Sequence, residues 1–317
     1  MSTIDFHCDT LSRLYYKDRN HTQNETLMEN SGHIDLNRLS RAGALAQFFA
    51  CFLNLKDETI NDEHYHDALG MIDLLKNSLA DQNLAAFADS YDSYLANKEA
   101  GKTSCFLTVE EGGILKGRMT RLYELYSHGI RLITLTWNYE NCLGFPNTMS
   151  HLADTGLKPF GLEVLAEMER LKMLIDVSHL SDQGFYDVFD HTKRPFVASH
   201  SCCRALCDHP RNLTDEMIHM LGERQGIAGL NFYGVFLSPD HKSTIDSMLL
   251  HLRHMIDKGG IDLPALGADF DGMDGDLEIK GCQDVPLLVN AMEKAGFKPF
   301  EIDAICYKNA ERVLQLL

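Results

Sequence analysis

Short apolar runs alternate with longer stretches of helical periodicity along most of this chain. The runs fall at residues 4–6, 44–53 (ALAQFFACFL), 105–109 (CFLTV), 130–135 (IRLITL), 173–177 (MLIDV), 195–199 (PFVAS), 227–232 (IAGLNF) and 263–268 (LPALGA). Between them the pattern predicts a short helix at 35–41 and one or two helices in 57–99. In the latter stretch Ala68, Met71, Ile72, Leu74 and Leu75 recur at helical spacing. Further helices are predicted near 116–128, 161–171, 182–190, 214–222 and 243–258, with a final pair at 284–296 and 299–316. Residues 11–33 read as polar and irregular. Apolar strands, each followed by a helix, indicate parallel pairing. Eight such units indicate an α/β fold of the (β/α)8 TIM-barrel type. An open doubly wound sheet is the competing arrangement, but no glycine-rich phosphate turn follows the first strand. No repeat and no Pro/Gly/Ser-rich linker divides the chain, so residues 1–317 are expected to form a single catalytic barrel domain with C-terminal helices.

Composition narrows the function. The 317 residues are 44% hydrophobic, enough for a full core, and no apolar run is long enough to span a bilayer. A net charge of −17, from 46 acidic and 29 basic residues, disfavours nucleic acid and anionic membranes as partners. The nine cysteines are odd in number, show no framework spacing, and include the adjacent pair Cys202–Cys203. That usage points to reduced thiols and a cytoplasmic protein. The first strand begins too early to leave room for a signal peptide. In that setting the Asn-x-Ser/Thr matches at Asn20, Asn24 and Asn212 carry no meaning.

A parallel barrel places functional groups at the C-terminal ends of its strands. The first run ends in His7-Cys8-Asp9, whose His and Asp share a face at period two while Cys8 points away. The third ends in Glu110-Glu111-Gly112-Gly113, the fourth in Thr136-Trp137-Asn138, and the fifth in Asp176-Val177-Ser178-His179. The remaining three end in Ser199-His200-Ser201, Asn231-Phe232-Tyr233 and Asp269-Phe270-Asp271-Gly272. Imidazoles and carboxylates without a thiolate pattern suit Zn²⁺, Mn²⁺ or Fe²⁺. Three histidines and several acids exceed the needs of one tetrahedral ion, so two ions bridged by a carboxylate use them better. A further acid, Asp269, could move protons. This pattern implies metal-assisted hydrolysis and names no substrate.

Other histidine and acid clusters read as structural. His64 and His66, two apart on a helix, face different ways. His251 and His254 read as a solvated helix face beside Arg253 and Lys258, and His209 as a loop residue. Asp271-Gly272 with Asp274-Gly275-Asp276 lacks the spacing and terminal Glu of a Ca²⁺ loop.

The segments 5–10 (DFHCDT), 111–113 (EGG), 129–136 (GIRLITLT), 176–179 (DVSH), 199–201 (SHS), 210–212 (PRN), 231–233 (NFY) and 267–272 (GADFDG) together resemble the membrane (renal) dipeptidase family. These are the M19 peptidases of the amidohydrolase-like barrels, and the segments run in family order over nearly the whole chain. The resemblance implies a metal-dependent dipeptidase with two divalent ions, zinc in the first place. His7 and Asp9 would hold one ion, His179 and His200 the other, and Glu111 would bridge them, because the family's glutamate directly precedes the glycines. A metal-bridging hydroxide would attack the peptide carbonyl, with Asp269 as acid/base. Arg211 would bind the substrate's C-terminal carboxylate, a task suited to a guanidinium. Tyr233 would stand near the pocket. One departure concerns the site itself: mammalian members carry a His after Thr-Leu-Thr that contacts substrate near the scissile carbonyl. Here Trp137 stands there, followed by Asn138, and substrate preference is expected to shift. Another amide, lactone or phosphoester hydrolase on the same metals is the alternative activity, and a catalytically silent ligand-binding barrel is a second. A small peptide is the expected partner, with neither nucleic acid nor membrane, and a homodimer is compatible with the family.

Overall fold

The computed structural model describes residues 2–19, 25–56 and 62–317. Nine parallel strands appear: β1 Thr3–Asp5, β2 Ala44–Phe52, β3 Ala85–Phe87, β4 Thr103–Glu110, β5 Ile130–Thr134, β6 Leu174–Asp176, β7 Val197–Ala198, β8 Ile227–Leu230 and β9 Pro264–Leu266. Their order is β2-β1-β9-β8-β7-β6-β5-β4-β3, and an added β2–β4 pairing closes eight of them into a barrel. These eight are the expected ones. The ninth, β3, lies in the stretch read as helical. It pairs with residues 103–105 of β4, below the point where β5 takes over at Leu107. Three residues are too few to interrupt the periodicity of the helices on either side, Glu63–Ala80 and Tyr91–Glu99.

Two apolar layers follow from the period-two alternation of the strands. Ile4, Phe6, Phe48, Phe106, Leu132, Leu174, Val197, Ile227 and Ala265, with at least one from each barrel strand, fill the lumen. Phe48 stacks between Phe6 and Phe106 at 4.3 and 4.7 Å. Ala310, Val313 and Leu314 of the last helix, Asn309–Leu314, close the lumen at the end where the strands begin. Asn309 Nδ2 anchors that helix by donating to the Ile261 and Pro264 carbonyls. The opposite phase of the strands, including Cys105, Leu107, Val109, Ile133 and Ile175, packs outward against the helices.

Three expectations change. Residues 11–33 are not wholly irregular, since Thr10–Arg19 is a helix. Leu11 and Leu14 anchor it in the outer layer, a stripe too thin to stand out among polar neighbours. The predicted helix at 299–316 is Pro299–Asp303, a π-helical turn and the closing helix. His251 is buried, not solvated: its Nδ1 accepts from the Cys203 amide at 3.0 Å and its Nε2 donates to the Leu237 carbonyl at 2.9 Å. It ties the helix Ile245–Gly259 to the segments after β7 and β8. The Asn20 and Asn24 sequons lie outside the described residues.

Two glycines set the shape of the lumen's upper end. A Cβ on Gly229 or Gly267 would lie 2.0 or 1.8 Å from the Ser199 carbonyl oxygen. Only glycine at both positions lets the chain leaving β7 turn inward, and that turn carries His200.

Candidate metal centre

The site lies at the C-terminal ends of the barrel strands, and each functional side chain reaches it by a local backbone device. At the end of β1 the Asp5 carboxylate accepts from the His7 amide and, across the barrel seam, from the Ala268 amide. At β6, Asp176 accepts from the Ser178 amide in the same way, and at β8 Asn231 accepts from the Tyr233 amide. Each is an Asx-type turn that stops the strand and turns the next side chains over the lumen. His179, Asp269 and Asp271 take left-handed φ of 68°, 65° and 67°. Backbone strain of this kind in non-glycine residues concentrates at functional sites.

Histidines and carboxylates meet as the strand ends predict. His7 Nε2 lies 3.4 Å from Asp9 Oδ2, 3.3 Å from Glu110 Oε2 and 3.8 Å from Asp269 Oδ1. Glu110 Oε1 lies 3.0 Å from His179 Nε2 and 3.5 Å from His200 Nε2. All of these groups are buried. The structure corrects one placement. Glu110, not Glu111, stands among the histidines; no histidine nitrogen among the described residues lies within 4.0 Å of Glu111. The cause is strand parity. Phe106, Thr108 and Glu110 share the lumen face of β4, and Glu111 takes the opposite phase. Glu111 instead accepts from the Gly113 amide, the Trp137 amide at 2.9 Å and Asn141 Nδ2.

The hydrogen-bond network fixes which imidazole nitrogens carry lone pairs. Ser199 Oγ donates its one proton to Asp176 Oδ2 at 2.6 Å, so it accepts from His200 Nδ1 at 2.7 Å. His179 Nδ1 donates to Asn138 Oδ1 at 3.3 Å. Both Nε2 atoms are therefore bare, and they face each other at 3.0 Å beside a carboxylate oxygen. Both nitrogens of His7, Asp9 Oδ1 and Glu110 Oε1 are buried with no hydrogen-bond partner. Electron-rich atoms crowded this way repel one another, and cations between them remove the cost. Two triads can each hold a cation: His7, Glu110 and His200, and His7, Asp9 and Asp269. The residues present thus fit a divalent-metal centre.

The electrostatics agree. Burial, reinforced by Arg211 for His179 and by His7 for His200, holds His179 down at about 4 and His200 well below the ordinary imidazole range. Both are thus neutral, as metal binding requires. Burial also works against a charged His7, but Glu110 and Asp9 outweigh it and push that imidazole up. Glu110 resists its burial through His7, His179 and His200 and stays ionised. Burial raises Asp269 to about 7 and Asp9 to about 6, each partly offset by His7. Burial likewise lifts Glu111 to about 7.

Above the cluster opens a cavity of about 430 Å³, lined by Asp9, Glu110, His179 and Asp269 at its floor and by Phe52, Trp137, Asn138, Tyr233 and Phe236 at its walls. Trp137, Asn138 and Tyr233 therefore border this cavity, and Asn138 also accepts from His179 Nδ1. Arg211 is buried behind this lining. Its guanidinium donates to the His200 carbonyl at 3.0 Å, and its Nε has no partner.

The membrane dipeptidase family, peptidase family M19, matches residues 1–316. The chain belongs to that family. It is a metal-dependent dipeptidase by kind, a hydrolase of peptide bonds on a (β/α)8 barrel. Similar proteins include an uncharacterized dipeptidase of Schizosaccharomyces pombe, 31% identical over 89% of this chain and 72% of its own length. The dipeptidase tcpJ of Claviceps purpurea is 28% identical over 96% of this chain and 73% of its own. Among solved structures, the M19 metallopeptidase called dipeptidase AC superposes with a TM-score of 0.89 at 27% identity, covering 99% of this chain and 98% of its own. A metallopeptidase from Rhodobacter sphaeroides, liganded with a phosphinate mimic of the dipeptide L-Ala-D-Ala, gives 0.90 at 26% identity, covering 99% of each. Two features of the site were not drawn from the sequence pattern. Glu110 was legible in the parity of 106, 108 and 110. The support that Asn141 gives to Glu111 was not, since nothing local marks a loop asparagine that folds back.

Proposed function

We propose that this M19 member is a dipeptidase with two divalent ions, zinc foremost, held by His7 and Asp9 on one side and His179 and His200 on the other. Glu110 stands between them. The observation that carries this reading is the division of the Glu110 carboxylate, with Oε2 toward His7 and Oε1 toward His179 and His200. A metal pair supplies a Lewis acid for the peptide carbonyl and lowers the pKa of water toward neutrality. The protein's own residues do the rest. Asp269, oriented by Asn231 Nδ2 at 2.9 Å, borders the cavity and takes a proton from water, then returns it to the leaving amine. Arg211, buried behind the cavity lining beside Phe236, would draw the substrate's free C-terminal carboxylate to that side by its charge. Asn138 and Ser199 hold the two imidazoles with their lone pairs inward. Free buried thiols such as Cys8, Cys51, Cys105, Cys202 and Cys203 support a cytoplasmic setting. No described helix is long and apolar enough to cross a membrane.

The test is metal analysis of gently purified protein together with a dipeptide panel that includes D-residues. Two equivalents of metal per chain and turnover of free-acid dipeptides are expected. Full metal content without dipeptide turnover would shift the assignment to another amide or ester.

A further inference from the structure

The cavity over the metal centre has two unlike walls. On one, the Trp137 ring meets Phe52 edge-on at 4.8 Å, is buttressed by Tyr139 at 5.7 Å, and stands 6.4 Å from the His179 ring. On the other, Tyr233 and Phe236 meet at 5.1 Å, and the Arg211 guanidinium lies 5.2 Å from the Phe236 ring. Arg13, also at the rim, is already paired with Glu25 at 2.9 Å. A substrate carboxylate is thus drawn to the Phe236 side.

We propose that the Phe52–Trp137 wall receives the side chain of the substrate's N-terminal residue and selects dipeptides that begin with a large apolar or aromatic residue. This rests on the dipeptidase reading above. With the scissile carbonyl over the Glu110 floor and the C-terminal carboxylate toward Arg211, the residue on the far side of the scissile bond falls against Trp137. That wall is preorganised. The Trp137 backbone amide is pinned by Glu111, which Gly113 and Asn141 hold in turn, and the ring rests between Phe52 and Tyr139, so less ordering is required when substrate arrives. Aromatic faces reward aromatic and branched side chains through offset or edge contacts. The indole offers one donor and no acceptor, so it gives little to a polar side chain.

The experiment compares kcat/KM of the metal-loaded enzyme on L-Ala-L-Ala, L-Phe-L-Ala and L-Ala-L-Phe. Phe-Ala is expected to exceed Ala-Ala by roughly ten- to a hundredfold, the range a filled apolar pocket provides, and Ala-Phe by distinctly less. Trp137→Ala and Phe52→Ala should each pull the Phe-Ala to Ala-Ala ratio toward one, while Trp137→Phe keeps most of it. The wild-type ratios decide the matter even if a variant fails to fold. Equal rates on Phe-Ala and Ala-Ala, a larger gain for Ala-Phe, or a ratio that survives Trp137→Ala overturns the proposal and leaves the dipeptidase reading standing. No turnover of these three overturns this proposal, and no turnover of the D-residue dipeptides either overturns the dipeptidase reading with it.

Discussion

Glu110 and Glu111 are neighbours in sequence and part company at the end of β4. Glu110 meets three histidines; Glu111 meets two backbone amides and an asparagine. Opposite responses to the same substitution follow. Glu110→Gln should cut kcat/KM by about a thousandfold or more and lower metal content, because the carboxylate between the three histidines loses its charge. Glu111→Gln should keep both metals and lose about tenfold or less, through the loosened Trp137 segment. Equal metal loss in the two would refute the assignment. Ser199 reaches the site through the His200 ring, which it holds while donating to Asp176. Ser199→Ala removes the acceptor at Nδ1 that leaves Nε2 bare, and metal affinity should fall roughly ten- to a hundredfold, read by competition with a chelating dye. Unchanged affinity would show that the ring is held by packing. Asp269→Asn should abolish turnover even with metal supplied in excess; an active variant would remove Asp269 from proton transfer.

At the scale of elements, strands were legible because burial on both faces leaves unbroken apolar runs, and their polar ends marked the rim. His7, Asp9, His179, His200 and Asp269 fell in reach for that reason. The glutamate choice followed the glycines rather than the alternation of 106, 108 and 110, and the geometry reversed it. The helix Thr10–Arg19 escaped because its buried stripe is two leucines wide. β3 escaped because it borrows a short edge of β4 instead of forming a barrel unit. His251 escaped because burial of one histidine leaves no periodic trace. That residue makes a pH prediction. Burial holds its folded pKa at about 4, against an ordinary value near 6.5 in the unfolded chain. The unfolded state then binds more protons between those values, so the contribution is whole above pH 6.5 and is lost as pH falls toward 4. The loss is on the order of 3 kcal/mol at about 1.4 kcal/mol per unit. His251→Gln should unfold more readily at pH 7.5, yet its urea midpoint should drop less between pH 7.5 and 5 than that of the parent. Parallel drops would count against this role. Glycine placement is as demanding: a Cβ at Gly272 would lie 2.0 Å from Asp9 Oδ2 and 2.5 Å from Asp269 Oδ1. Gly272→Ala should therefore impair metal uptake more than it lowers Tm, and intact uptake would show that the rim can yield.

Across the whole molecule, the barrel is a ring whose first and last strands must find each other. β1 meets β9 through a single register pair, Asp5 with Leu266, helped by the Phe6 and Asp9 amides and by the Asp5 carboxylate on the Ala268 amide. The metal centre straddles that seam, with His7 and Asp9 on one side and Asp269 on the other. A cation bound there would act as a rivet. In hydrogen-exchange terms, amides beside the seam, those of Phe6, Asp9 and Ala268, should open through local separation of the two strands. Metal loading should slow them by more than it slows the amides between β2 and β4, which are held by seven register pairs.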